Sequence, residues 1–117
     1  GRPLHFCIEA AEELAREGIS CEVIDGRTIR PLDIDTMAAS VTKTSACVVV
    51  DQSWPFASVG SEIASQLHAI CFEALDNHVH RVHSDDVPTP YAYNLEQAYL
   101  PNKRKICEAV RSATYNA

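Results

Sequence analysis

Residues 46–50 read Ala46-Cys47-Val48-Val49-Val50, an unbroken apolar run with no alternation. A half-exposed strand alternates apolar and polar residues, because successive side chains point to opposite faces. A strand with no polar position is buried on both faces, as in a parallel sheet covered by helices. The run therefore requires helices on either side of it, and the flanking sequence supplies them.

Upstream, Leu4, Cys7, Ile8, Ala11, Leu14 and Ala15 fall on one helical face, and Gly18 is placed to end that helix. ISCEVID, Ile19 to Asp25, has the β-branched content of a strand. GRTIRPLD then turns away, and Asp33 or Asp35 caps a second helix running to Lys43, because a short acidic side chain accepts from free first-turn N–H groups. Downstream, DQSWPFASVG is a loop broken by Gly60, and Ser61 to Leu75 is expected to be a helix with Ile63, Leu67, Ile70, Cys71 and Ala74 inward. Val79 to His83 reads as a short strand. A proline-rich loop, SDDVPTPYAYNLE from Ser84 to Glu96, follows, with a helical turn near Leu95. Pro101 or Asn102 opens a last helix that turns Ile106, Cys107, Val110 and Ala113 to one side.

Alternating helices and strands at this spacing predict an α/β domain: a three-layer α/β/α arrangement around a mainly parallel sheet, with residues 1–117 as one domain. Three strands make a thin sheet, and the chain opens on a helix. An edge or gap must then be filled by dimerisation, another chain or an upstream segment. Opening almost inside a helix is the expectation for a fragment.

The composition is that of a globular chain: 46% hydrophobic and 22% charged, with a net charge of -6. The acidic balance argues against nucleic acid and anionic membranes, both of which need a basic footprint. No stretch reaches the roughly 18 apolar residues of a membrane span. Cys7, Cys21, Cys47, Cys71 and Cys107 are widely spaced within apolar patterns, so they read as reduced, buried thiols in an intracellular setting.

Reactive candidates are few. His78, His80 and His83 lie in DNHVHRVHS. On a strand His78 and His80 share a face and His83 points away, whereas zinc needs three or four converging ligands; adjacent Asp76, Asp85 and Asp86 are further oxygen donors that could help. The cluster reads as a solvated edge strand, with a metal or small His/Asp enzyme site as the sharper alternative. Ser61 begins a helix without a G-x-S-x-G elbow and reads as a cap, not a nucleophile. Arg27 and Arg30 have the forked donors to hold a carboxylate or phosphate, or to bridge carboxylates at a subunit boundary.

Three stretches together, AAEELAREGISCEVIDGRTIRPLD at 10–33, DQSWPFASVGSEIA at 51–64 and DDVPTPYAYNLE at 85–96, carry a family resemblance over nearly the whole chain. The chain resembles the C-terminal, transketolase C-terminal-like domain of pyruvate dehydrogenase beta subunits, among the thiamine-diphosphate-dependent 2-oxo acid dehydrogenases. The branched-chain 2-oxo acid dehydrogenase beta subunit is the neighbouring alternative; Trp54-Pro55 and the PTPYA-x-NLE run resemble the pyruvate branch more closely. The resemblance implies a five-stranded sheet of which this chain supplies three strands. One absent strand would lie between Ile19–Asp25 and Ala46–Val50.

The same resemblance implies a chain with no catalytic, cofactor-binding or metal-ligating residue of its own. Thiamine diphosphate and Mg²⁺ belong to the full enzyme, held by a G-D-G…N motif of the alpha subunit that is absent here. The implied role is assembly. Arg27, Arg30, Trp54, Pro88, Pro90, Tyr91 and Tyr93 are expected at contacts with the alpha subunit and a second beta subunit. Asp76 and the terminal Ala117 are expected to receive the peripheral-subunit-binding domain of the dihydrolipoyl acetyltransferase core. The location implied is the mitochondrial matrix in a eukaryote and the cytoplasm in a bacterium. A stand-alone module binding an anion through Arg27 and Arg30 is the competing reading.

Overall fold

The computed structural model describes residues 2–25, 33–51, 58–83 and 101–115. In chain order the elements are α1 (Arg2–Arg16), α2 (Ile34–Thr44), β1 (Val48–Val50), α3 (Val59–Ile70), β2 (His80–Val82) and α4 (Lys103–Ala113). The apolar run at 46–50 forms β1, and it pairs in parallel with β2 through Val48–His80, Val49–Arg81 and Val50–Val82. Parallel strands require a crossover, and α3 provides it.

Helices cover both faces of this small sheet, as the unalternating valines predict. On one face Ala10 and Leu14 of α1 pack with Ile106 and Cys107 of α4 and with Val82, against Val48 and Val50. On the other, Val41 of α2, Ala64 and Leu67 of α3, Cys71 and Val79 pack against Cys47 and Val49. Alternate side chains of β1 thus enter opposite cores.

Local chemistry fixes the helix ends. Gly18 adopts φ 86, a left-handed conformation that glycine takes without a Cβ penalty. It lets Ile19 N–H reach Leu14 O at 2.9 Å and its own N–H reach Ala15 O at 3.1 Å, the paired bonds that close a helix C-terminus. Asp33, one of the two expected caps, starts α2 by accepting from Thr36 N at 3.3 Å and Thr36 Oγ1 at 2.7 Å. Asn102 starts α4 by accepting from Lys105 N at 2.9 Å. Glu17 and Arg111 join α1 to α4 with two parallel bonds of 3.0 and 2.6 Å.

Several expectations need correction. Residues 19–25 form no strand ladder. Their sequence suits an extended chain, but a strand exists only beside a partner, and none lies next to them among the described residues. The third helix runs from Val59 to Ile70 and not from Ser61 to Leu75, so Gly60, expected in the preceding loop, lies in its first turn. Ile70 is 57% exposed and Ile8 45% exposed, whereas Ala10 at 1% and Ala64 at 6% are buried. Leu14 and Leu67 are buried as expected, and Ala10 and Ala64 join them in place of Ile8 and Ile70.

Between residues 19–25 and β1 lies a cavity of about 450 Å³. Ile19 to Asp25 form one wall and Ala46 to Val50 the other; Leu14 and Ile106 close it on one side and Val41 and Leu67 on the other. Packed interiors rarely hold voids larger than a water molecule.

Candidate functional site

Asp76 is the expected site residue that the structure describes. It follows the turn after α3 and is exposed. Its backbone is held from two sides: Asp76 N–H donates to Ser45 O at 2.9 Å, and its carbonyl accepts the Tyr115 hydroxyl at 2.6 Å. Asn77 adds a second tie to the end of α4, its amide donating to Ser112 O at 3.2 Å while its Oδ1 accepts from His78 N at 2.8 Å. Tyr115 itself sits at φ 60, a left-handed position rare for a non-glycine residue. These bonds bring residue 76 and the end of α4 together and leave the Asp76 side chain on the outside. Sequence reading paired Asp76 with Ala117; it missed Tyr115, whose contact joins positions 39 apart and leaves no local pattern.

Arg27, Arg30, Trp54, Pro88, Pro90, Tyr91, Tyr93 and Ala117 lie outside the described residues, as do Asp85 and Asp86.

A second polar cluster forms where β1 ends and α3 begins. Asp51 Oδ2 accepts the Gly60 N–H at 2.9 Å, and the Ser58 hydroxyl accepts from Ser61 N at 3.1 Å. Two first-turn N–H groups are thereby satisfied within the protein, and the carboxylate is favourably placed at the positive end of the helix. Arg81 reaches across from β2 to donate to Ser58 Oγ at 3.0 Å. Ser61 directs its own hydroxyl to Ser58 O at 2.7 Å, which is the capping role expected of it.

His78 and His80 share a face, as period two predicts, but the segment is not the solvated edge strand expected of it, since Val79 and Val82 are buried. His78 and His80 stack, with ring centroids 3.9 Å apart and planes 26° apart. Burial, and then the neighbouring His78, push the His80 imidazole below its usual pKa, and its Nε2 is buried without a hydrogen-bond partner. His68 Nε2 accepts the Val79 N–H at 3.0 Å, which leaves its proton on Nδ1. Among the described residues no three His, Cys, Asp or Glu side chains converge as a metal site.

All five cysteines are free thiols. Burial, with Cys71 beside it, pushes Cys47 up to about 11. Burial also raises Cys7, Cys21 and Cys107, the last donating to Glu13 Oε2 at 3.6 Å. A thiol reacts as thiolate, so these four are poor nucleophiles near neutral pH. The bond from Lys103, and then its charge, hold the half-buried Glu13 carboxyl below the usual carboxylate range.

The chain was compared with known proteins. The pyruvate dehydrogenase E1 component subunit beta of Rickettsia felis is 45% identical over 110 residues, 94% of this chain and 34% of that protein. The protein of the same name from Rhizobium meliloti is 43% identical over 115 residues, 98% of this chain and 25% of its own length. The mitochondrial human protein of that name is 44% identical over 111 residues, 94% of this chain and 31% of its own. The chain therefore spans between a quarter and about a third of these relatives. The model of the transketolase C-terminal domain matches residues 1–106, which include every described element up to the first turns of α4. With helices on both faces of a parallel sheet and this match across it, the chain belongs to the transketolase C-terminal domain family.

Proposed function

We propose that this chain is a single, non-catalytic assembly domain of a pyruvate dehydrogenase beta subunit, which contributes binding surfaces and no reacting groups. The parent enzyme would decarboxylate pyruvate oxidatively and pass the acetyl group to lipoamide. Its thiamine diphosphate would come with Mg²⁺, whose hard charge calls for several oxygen ligands. The donor set of this chain does not fit such a site: it has no G-D-G…N motif, and its acidic side chains near helix ends pair with Gly60 N–H, Lys103 and Arg111.

The observation that carries the assembly reading is the Tyr115–Asp76 bond, which sets an outward carboxylate beside the end of α4. A net charge of -6 suits a basic partner there, such as the peripheral-subunit-binding domain of the acetyltransferase. Tyr91 and Tyr93, stiffened by Pro88 and Pro90, have the amphipathic rings favoured at interfaces and are proposed, with Arg27, Arg30 and Trp54, to face the alpha subunit and a second beta subunit. The relatives with bacterial and mitochondrial sources carry the pyruvate name, which favours pyruvate over a branched-chain substrate.

The test uses the full-length heterotetramer. Asp76→Asn should weaken the peripheral-subunit-binding domain by about two- to fivefold at low salt, with the difference shrinking as salt rises, because an exposed charge pair is worth under roughly 1 kcal/mol and is screened. Titration calorimetry at two salt concentrations reads this, and equal affinities at both would refute the Asp76 assignment. In the same preparations the double substitution Tyr91→Ala, Tyr93→Ala should shift the mass distribution from heterotetramer to smaller species; an unchanged distribution would make the loop part of its own domain only.

A further inference from the structure

The turn at 76–79 is where three helices end. Ser45, the C-cap of α2, accepts the Asp76 N–H. His68, in the last turn of α3, accepts the Val79 N–H. Ser112, in the last turn of α4, accepts the Asn77 side-chain amide through its carbonyl. Helix C-termini carry partial negative charge, so a carboxylate held at this junction adds to a field that attracts cations. Lys43 and Arg111, the basic residues in the last turns of α2 and α4, are paired with Glu22 and Glu17. The way the backbone of residue 76 is held therefore decides where the Asp76 charge is presented.

Tyr115 holds that backbone from a strained position. It directly follows Thr114, the C-cap of α4, and its φ of 60 is the left-handed conformation in which glycine or asparagine normally ends a helix. Such strain persists only where the surroundings over-determine it. Burial does little here, because the residue is 69% exposed. The bond from Tyr115 N–H to Ser112 O is long, at 3.3 Å, and any residue but proline makes it. The bond from the hydroxyl to Asp76 O, at 2.6 Å, needs a side chain of tyrosine's reach that ends in a donor. A residue that served only to end α4 would be better as glycine. We infer that Tyr115 is a positioning residue: its hydroxyl latches the 76–77 turn to the end of α4 and so aims the Asp76 carboxylate at a cationic partner. The aim rests on the Asp76 reading given above; the latch stands on the Tyr115 geometry alone. The hydroxyl is spent on Asp76 O, so it acts through Asp76 and not by touching the partner.

The test uses the full-length heterotetramer, with the peripheral-subunit-binding domain as probe. Tyr115→Phe keeps the ring and removes the donor. Amide hydrogen exchange at 76–78 should quicken by about fivefold, the worth of one hydrogen bond. Affinity at low salt should fall by about twofold, less than the loss of the charge itself. In a double-mutant cycle with Asp76→Asn, Tyr115→Phe should cost nothing further, since the carboxylate it aims is gone. Tyr115→Gly relieves the left-handed strain and should weaken binding as much as Tyr115→Phe does, whereas a residue that merely ended α4 would lose no binding on becoming glycine. Unchanged exchange in Tyr115→Phe overturns the latch. Weaker binding with Asp76→Asn but not with Tyr115→Phe overturns the positioning role and leaves the Asp76 reading intact. Quickened exchange in Tyr115→Phe with full affinity in Asp76→Asn overturns the Asp76 reading and leaves the latch. Additive losses in the cycle, or a loss with Tyr115→Gly and none with Tyr115→Phe, make the ring a direct partner contact and overturn the positioning role.

Discussion

His80 carries a cost at acid pH that its neighbours set. Stacked on His78 and with Nε2 sealed from water, its ring is held neutral by burial and by the imidazole beside it. The unfolded chain binds that proton more readily than the folded one, so stability is full above the ordinary histidine value of about 6.5 and declines as pH falls through it. Glu13, Glu17 and Glu22 are shifted downward by their Lys and Arg partners, so their loss of stability belongs near and below the ordinary carboxylate range, at lower pH. Thermal unfolding between pH 7.5 and 5.5 should therefore show a falling Tm that His80→Gln flattens. Equal slopes in the two proteins would remove His80 as the source. The shared face of His78 and His80 could be read from period two alone. The buried, unpartnered nitrogen could not, because it depends on packing around the ring.

At the scale of elements, the sequence marks ends by short polar side chains, and most of those marks hold. Asp33 and Asn102 cap α2 and α4 because an oxygen at that position reaches an N–H two or three residues on. Gly60 misleads for the opposite reason: its role is set by a residue nine positions earlier. A Cβ at Gly60 would stand 3.0 Å from Asp51 Cβ and 3.0 Å from Oδ2, so the start of α3 and the end of β1 touch only because that side chain is absent. Gly60→Ala should lower stability by about 1–3 kcal/mol, as overpacking of a tight contact does, despite alanine's better helix propensity. Urea unfolding checks it, and a stabilised variant would mean that Asp51 moves aside at no cost. Residues 19–25 show the same limit in a strand: propensity makes the segment extended, but pairing is a property of two segments.

Across the whole molecule, two cores share one pair of strands. Leu14 is fully buried among α1 and α4, and Leu67 at 2% exposure among α2 and α3. If residues 1–117 are one cooperative domain, Leu14→Ala and Leu67→Ala should each cost about 2–5 kcal/mol and shift the same unfolding transition, read on both layers by hydrogen exchange. Separate transitions for the two layers would divide the domain. The layering was legible in ACVVV, α1 and α4 in their apolar period and α2 in its acidic cap; a gap in the sheet was legible in the small number of strands, and its place only through the family resemblance. Were it fully closed and dry, a cavity of about 450 Å³ at about 24 cal/mol per Å³ would forfeit about 11 kcal/mol, an upper bound comparable with the stability of an ordinary domain. The valines beside it have a further consequence. Three consecutive β-branched residues, with a strand partner on one edge only among the described residues, are the raw material of cross-β stacking, so concentrated solutions of the isolated chain should seed fibrils from residues 48–50 unless that edge is capped.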